Sequence, residues 1–125
     1  MPLSRELVPR TKRRWIIEKQ LVISTAHLSQ TDMVWLTANA KLNEENNTDP
    51  GTPEVICYNK GEYGYLLYIP FLASTEKKFR EWVNSLGNRN PTFQRILWEA
   101  KRRDCCWISI DRDGHLCPGL PTYNW

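Results

Sequence analysis

EVICYNKGEYGYLLYI, residues 54–69, is the stretch that decides the fold. Two runs rich in β-branched and aromatic residues, 54–59 and 62–69, flank Asn59-Lys60-Gly61. Asn and Gly tolerate the positive φ that tight reversals need, so the spacing predicts a β-hairpin. Pro70 ends the second run, because proline cannot donate to a strand ladder. A hairpin commits at least part of the sheet to antiparallel pairing.

Upstream, residues 15–24 (WIIEKQLVIS) read as a first strand. Ser29 offers a helix N-cap, and Asp32 three residues later offers a short form of the capping box. Met33, Leu36 and Ala40 follow at helical spacing, with Trp35 beside them. Residues 43–53 (NEENNTDPGTP) are polar and rich in turn formers, a surface loop.

Downstream, Ser74 or Thr75 caps a helix whose apolar stripe is Phe79, Trp82, Val83 and Leu86, with Gly87 at its end. Asn90-Pro91 opens another, with stripe Phe93, Ile96, Leu97 and Ala100. Lys101, Arg102 and Arg103 fill its last turn, where they favour the helix dipole. Residues 105–111 read as a strand, and Asp113-Gly114 turns the chain.

The order β-α-β-β-α-α-β gives an α+β class. The expectation is an antiparallel sheet of four or five strands with the helices on one face. If the two later helices act as one broken crossover, the arrangement is the split β-α-β of ferredoxin-like folds. Leu36, Phe79, Val83, Ile96, Leu97, Ile108 and Ile110 form the expected core. Residues 15–125 make one domain, preceded by a basic arm over residues 1–14.

At 125 residues the chain is long enough to fold without disulfide or metal. No apolar run approaches the ~20 residues a membrane span needs. The first residues carry no apolar signal segment, so a cytoplasmic location in a bacterial cell is expected. Cys57, Cys105, Cys106 and Cys117 have no Cys-x-x-Cys spacing and are expected to be reduced. The net charge of +3 is unevenly placed: residues 1–20 hold six basic and two acidic residues, the remainder eleven and twelve.

Five groups are candidates for chemistry. His27, after Ser24-Thr25-Ala26, stands at a strand end as a general acid or base, or as a histidine that shapes the turn. Asp111, Asp113 and His115 alternate as cation ligands do, yet Asp-Gly is also a favoured turn. Together with His27 they are the weak catalytic candidates for a small metal-dependent hydrolase or nuclease. Tyr63 and Tyr65 lie on one face of a strand, with Leu66 and Tyr68 on the other, as a stacking surface or as cross-strand packing. Arg10, Lys12, Arg13, Arg14 and Trp15 form a basic segment suited to nucleic acid or to an acidic protein. Cys105-Cys106 would need a lowered pKa to act as a nucleophile. Trp125 joins the aromatic candidates for partner contact. No phosphate loop or His-Glu-x-x-His motif occurs in the sequence, and no metal or other cofactor is expected.

Residues 21–28 (LVISTAHL), Glu62-Tyr63-Gly64-Tyr65, Cys106-Trp107 and the closing GLPTYNW together resemble a family of small bacterial domains of unknown function. That family is associated with plasmids, prophages and other mobile elements, and the resemblance spans about residues 20–125. It implies an accessory protein that binds a host protein or ribonucleoprotein, including defence systems such as CRISPR complexes or restriction enzymes. No activity and no catalytic residue comes with it. The expectation is therefore a non-catalytic binding protein, an inhibitor in effect if its partner is a defence complex, with nucleic-acid binding through the arm as a further alternative.

Overall fold

Short local signals fix the ends of each element. A computed structural model describes residues 17–44 and 53–123. Strand β1 is Gln20–Ser24 and helix α1 is Gln30–Glu44. The capping box forms as expected: Ser29 Oγ accepts from the Asp32 N–H (3.2 Å), and an Asp32 carboxylate oxygen accepts from the Ser29 N–H (2.8 Å). Strand β2 is Cys57–Asn59, and β3 is Gly64–Tyr68. Helices α2 (Glu76–Ser85) and α3 (Pro91–Arg102) start at Thr75 and Asn90, whose side chains accept from the N–H groups of Lys78 and Thr92. Strand β4 is Trp107–Asp111.

The four strands lie in the order β1-β4-β3-β2. Strands β2 and β3 pair antiparallel, as do β3 and β4, but β1 runs parallel to β4. The α+β class stands, while the sheet is mixed and not wholly antiparallel. The reason lies in the two later helices, which are separate elements and not one broken crossover. The single helix α1 carries the chain from one end of the sheet to the other, since β1 ends beside Asp111 and β2 begins opposite Leu67. The pair α2 and α3 brings it back to the end it left, because Tyr68 lies opposite Trp107. Strand β4 therefore points against β3 and along β1. This leaves β1 at an edge, which differs from the split β-α-β order.

Register divides the sheet into two faces. Ile23, Ile110 and Tyr65 form one row across the strands; Leu21, Ile108, Leu67 and Cys57 form another on the same side. These rows share one core with Leu36, Ala40, Phe79, Val83, Phe93, Ile96, Leu97 and Ala100 from the three helices. All seven expected core residues are buried to 1% exposure or less.

A buried polar joint fixes the helices to one another. Asp32 is fully buried at the start of α1, and its carboxylate accepts from Asn88 Nδ2 (2.8 Å) and Asn90 Nδ2 (3.0 Å). With the Ser29 N–H, three donors surround one carboxylate, which satisfies a group that would otherwise be costly to bury. Asn90 is also the cap of α3, so one carboxylate ties the beginnings of two helices together.

The hairpin loop is longer than the sequence suggests. Residues Gly61–Tyr63 form a turn of 3-10 helix, and Lys60 donates its N–H to the Gly64 carbonyl (2.8 Å). Gly64 is obligatory here. Its φ is +137°, and a Cβ would fall 1.8 Å from the Ile110 carbonyl oxygen.

Candidate functional site

The described helices all pack on one face of the sheet, and none of them covers the second. Its side chains are the ones that alternate with the core rows: Tyr58, Leu66, Ser109 and Val22 in one line, and Tyr68, Trp107 and Gln20 in the next. Tyr58 is 51% exposed and Val22 43%, while Leu66, Tyr68 and Trp107 are half-buried. Aromatic rings hold one another in place. The Tyr68 and Trp107 rings meet edge to face at 5.2 Å, and Tyr58 leans on Trp107 at 6.4 Å. Glu18 accepts from the Trp107 indole N–H (3.0 Å), which fixes the indole's orientation.

A polar strip runs beside the rings. Lys60 Nζ donates to Ser109 Oγ (2.8 Å) and lies 3.5 Å from an Asp111 carboxylate oxygen. The other Asp111 oxygen accepts from the Asp113 N–H (2.8 Å). That backbone donor, with Lys60 beside it, holds the Asp111 carboxyl below the ordinary aspartate range. At the margin, Arg112 stacks over the Tyr63 ring at 4.9 Å and pairs with Glu62. Among the described residues the face thus carries two cations, Lys60 and Arg112, against three carboxylates, Glu18, Glu62 and Asp111.

The residues singled out from the sequence fare differently. His27 is fully buried, and both ring nitrogens are engaged: Nε2 accepts from the Cys117 N–H (2.9 Å), so Nδ1 carries the proton and donates to the Pro121 carbonyl (2.8 Å). It fastens the tail after β4 to the turn after β1, and offers no free nitrogen to a substrate. Asp111 and Asp113 form the turn itself, closed by the Gly114 N–H on the Asp111 carbonyl (2.9 Å). His115 is exposed beyond it, and no cluster of three metal-ligating side chains occurs among the described residues.

Tyr65 does not share a free face with Tyr63. It is 6% exposed, and its hydroxyl meets Thr37 Oγ1 of α1 at 2.6 Å. The strand begins at Gly64, so Tyr65 falls into the core row and Tyr63 into the preceding turn. Tyr63 remains half exposed at the margin of the open face. Arg10, Lys12, Arg13, Arg14, Trp15 and Trp125 lie outside the described residues, as does the boundary between arm and domain.

Tyr58 and Trp107 were missed. The signal was present in Trp107-Ile108-Ser109-Ile110-Asp111, because two isoleucines committed to the core send the intervening residues to the opposite face.

Two of the thiols are shifted away from reactivity by their surroundings. All four cysteines are unbridged, and burial pushes the Cys57 thiol up to about 12. Burial, with Glu18 nearby, also raises Cys106, which is the wrong direction for a nucleophile.

Among the described residues no helix is long and apolar enough to cross a membrane. No curated protein and no solved structure matches the chain. Residues 20–125, which take in every strand and helix described above, match the family of unknown function DUF5983, C-terminal domain, and the chain belongs to that family.

Proposed function

We propose that this domain is a non-catalytic binding module that engages a protein partner through the open face of its sheet. One observation carries the reading: Tyr58 and Tyr68 both pack on the Trp107 ring, with Val22 and Leu66 in the same rows, on a face that none of the described helices covers. Tyrosine and tryptophan dominate binding hot spots because they bury large areas at little conformational cost. The balance of charge favours protein over nucleic acid. Sheet aromatics can stack bases, but the described charges around the rings, two paired cations against three carboxylates, make no basic track for a phosphate backbone.

Carriage by a mobile element, action in the bacterial cytoplasm and a host defence complex as target belong to this proposal. They rest on the resemblance of motifs described above. Arg10, Lys12, Arg13 and Arg14 add a basic segment that would speed association with an acidic partner.

The experiment is capture from nuclease-treated bacterial lysate by the wild-type protein and by Tyr58→Ser, which removes the most exposed ring. A protein retained by the wild type and bound at least tenfold more weakly by the variant supports the reading. Equal retention by both, or retention abolished by nuclease, overturns it.

A further inference from the structure

Charge summed along the chain hides a second surface. Helix α3 carries Arg95, Lys101 and Arg102, with Arg103 as its C-cap, and Arg80 of α2 lies over the ring of Trp98 at 5.5 Å. A cleft of about 460 Å³ opens between α3 and the tail after β4. Its apolar lining is Leu21, Ile96 and Leu120, and its polar lining includes Arg95, Glu99, Arg102 and Arg103. A second cleft on the other side of α3 shares Arg95, Glu99 and Arg102 with the first, and adds Trp98, Lys101 and Glu76, the last paired with Arg80.

Glu99 does not cancel this charge. Its carboxylate accepts from Arg102 Nη2 and Arg103 Nε, and those two guanidinium donors hold its carboxyl below the ordinary glutamate value. One carboxylate thus orients two guanidinium groups whose side chains are 68% and 60% exposed, leaving further N–H donors directed to solvent. Arg95 is anchored through the Gly119 carbonyl (3.0 Å), which fixes the opposite wall of the cleft.

We propose that this cleft binds an acidic peptide segment bearing one apolar side chain. The apolar floor takes the side chain, and the arginines donate to carboxylates on either side of it. Spacing supports an extended segment. Arg95 and Arg102 are two helical turns apart, about 10 Å along the axis at 1.5 Å per residue. That is the reach of roughly three residues of extended chain. The basic surface also continues across α3 into the second cleft, farther than one small ligand would cover. This surface and the open sheet face are separate, so neither proposal depends on the other.

The probe is the acetylated and amidated peptide Asp-Glu-Leu-Asp-Glu, carrying a fluorophore, titrated against the full chain by anisotropy. Binding that weakens with added salt is expected. The double variant Arg102→Gln, Arg103→Gln should weaken it at least tenfold with an unchanged melting temperature, and Tyr58→Ser should leave it intact. Replacing the peptide's leucine by serine should weaken binding several-fold, a comparison made entirely on the wild-type protein. No binding, equal binding by the double variant, indifference to the leucine, or tighter binding of a single-stranded oligonucleotide would each overturn the proposal.

Discussion

The two faces of the sheet are made of the same four strands, yet they answer to different demands. On the covered face, Leu67, Ile108 and Ile110 are fully buried against three helices. On the open face, Tyr68 and Trp107 stay half exposed, and Lys60 from the hairpin loop lies over the buried Ser109 hydroxyl. Alternation within a single strand such as Trp107–Asp111 serves both. The covered face holds the fold together, while the open face is free to vary its chemistry at little cost in stability. The difference is measurable.

The largest effect is expected on the covered side. Leu97→Ala should cost on the order of 2–5 kcal/mol, because the cavity cannot be filled by neighbours from three elements. Chemical denaturation measures this, and a cost under about half a kilocalorie would remove Leu97 from the core.

Asp32→Ala comes next, at about 2–3 kcal/mol. It strips two asparagine side chains and a helix terminus of their shared acceptor. Asp32→Asn should cost less if its amide oxygen retains one or two of these bonds. Equal losses for both variants would show that charge, and not hydrogen-bond geometry, holds the joint.

A pH effect separates Cys57 from solvent-facing groups. Its folded value is raised from 9.0 to about 12 by burial. The contribution of the protonated thiol is complete below about pH 9 and is lost as pH rises toward 12, by about 1.4 kcal/mol per pH unit. Cys57→Ala should flatten that alkaline limb of the stability profile. An unchanged limb would place the thiol in water.

The smallest effect on stability belongs to the open face. Tyr58→Ser should cost less than about 1 kcal/mol, since the ring is half exposed and loses one aromatic contact. A larger loss would make the face part of the fold and weaken its standing as an interface.

Much of the covered side was legible in the sequence. Ser29 with Asp32, Thr75, and Asn90-Pro91 marked three helix starts through local hydrogen bonding alone. The apolar stripes then identified every core residue named from them. What failed depended on partners distant in sequence. Tyr65 looked like a mate of Tyr63, but the strand starts at Gly64, two residues later than the run suggested, so Tyr63 falls in the 3-10 turn while Tyr65 faces the core. The parallel pairing of β1 with β4 has no local marker, and neither does the burial of His27 by a tail some ninety residues away. The basic cleft was invisible for a related reason. Lys101, Arg102 and Arg103 stand together in the sequence but read there as partners of the helix dipole, and only folding sets the tail after β4 against Arg95, Arg102 and Arg103 to make a cleft.

The parallel pairing also sets a timetable for synthesis. As the ribosome extends the chain, β1 is the first strand of the sheet to emerge, yet its neighbour β4 is the last. Gln20–Ser24 therefore has no ladder to join until nearly the whole domain has been translated, while the hairpin of β2 and β3 can close as soon as it is made. The nascent chain must carry an apolar segment, Leu-Val-Ile, unpaired through most of its elongation. Closing that long loop is the step expected to limit the folding rate. It is also the interval in which a chaperone would have most to do.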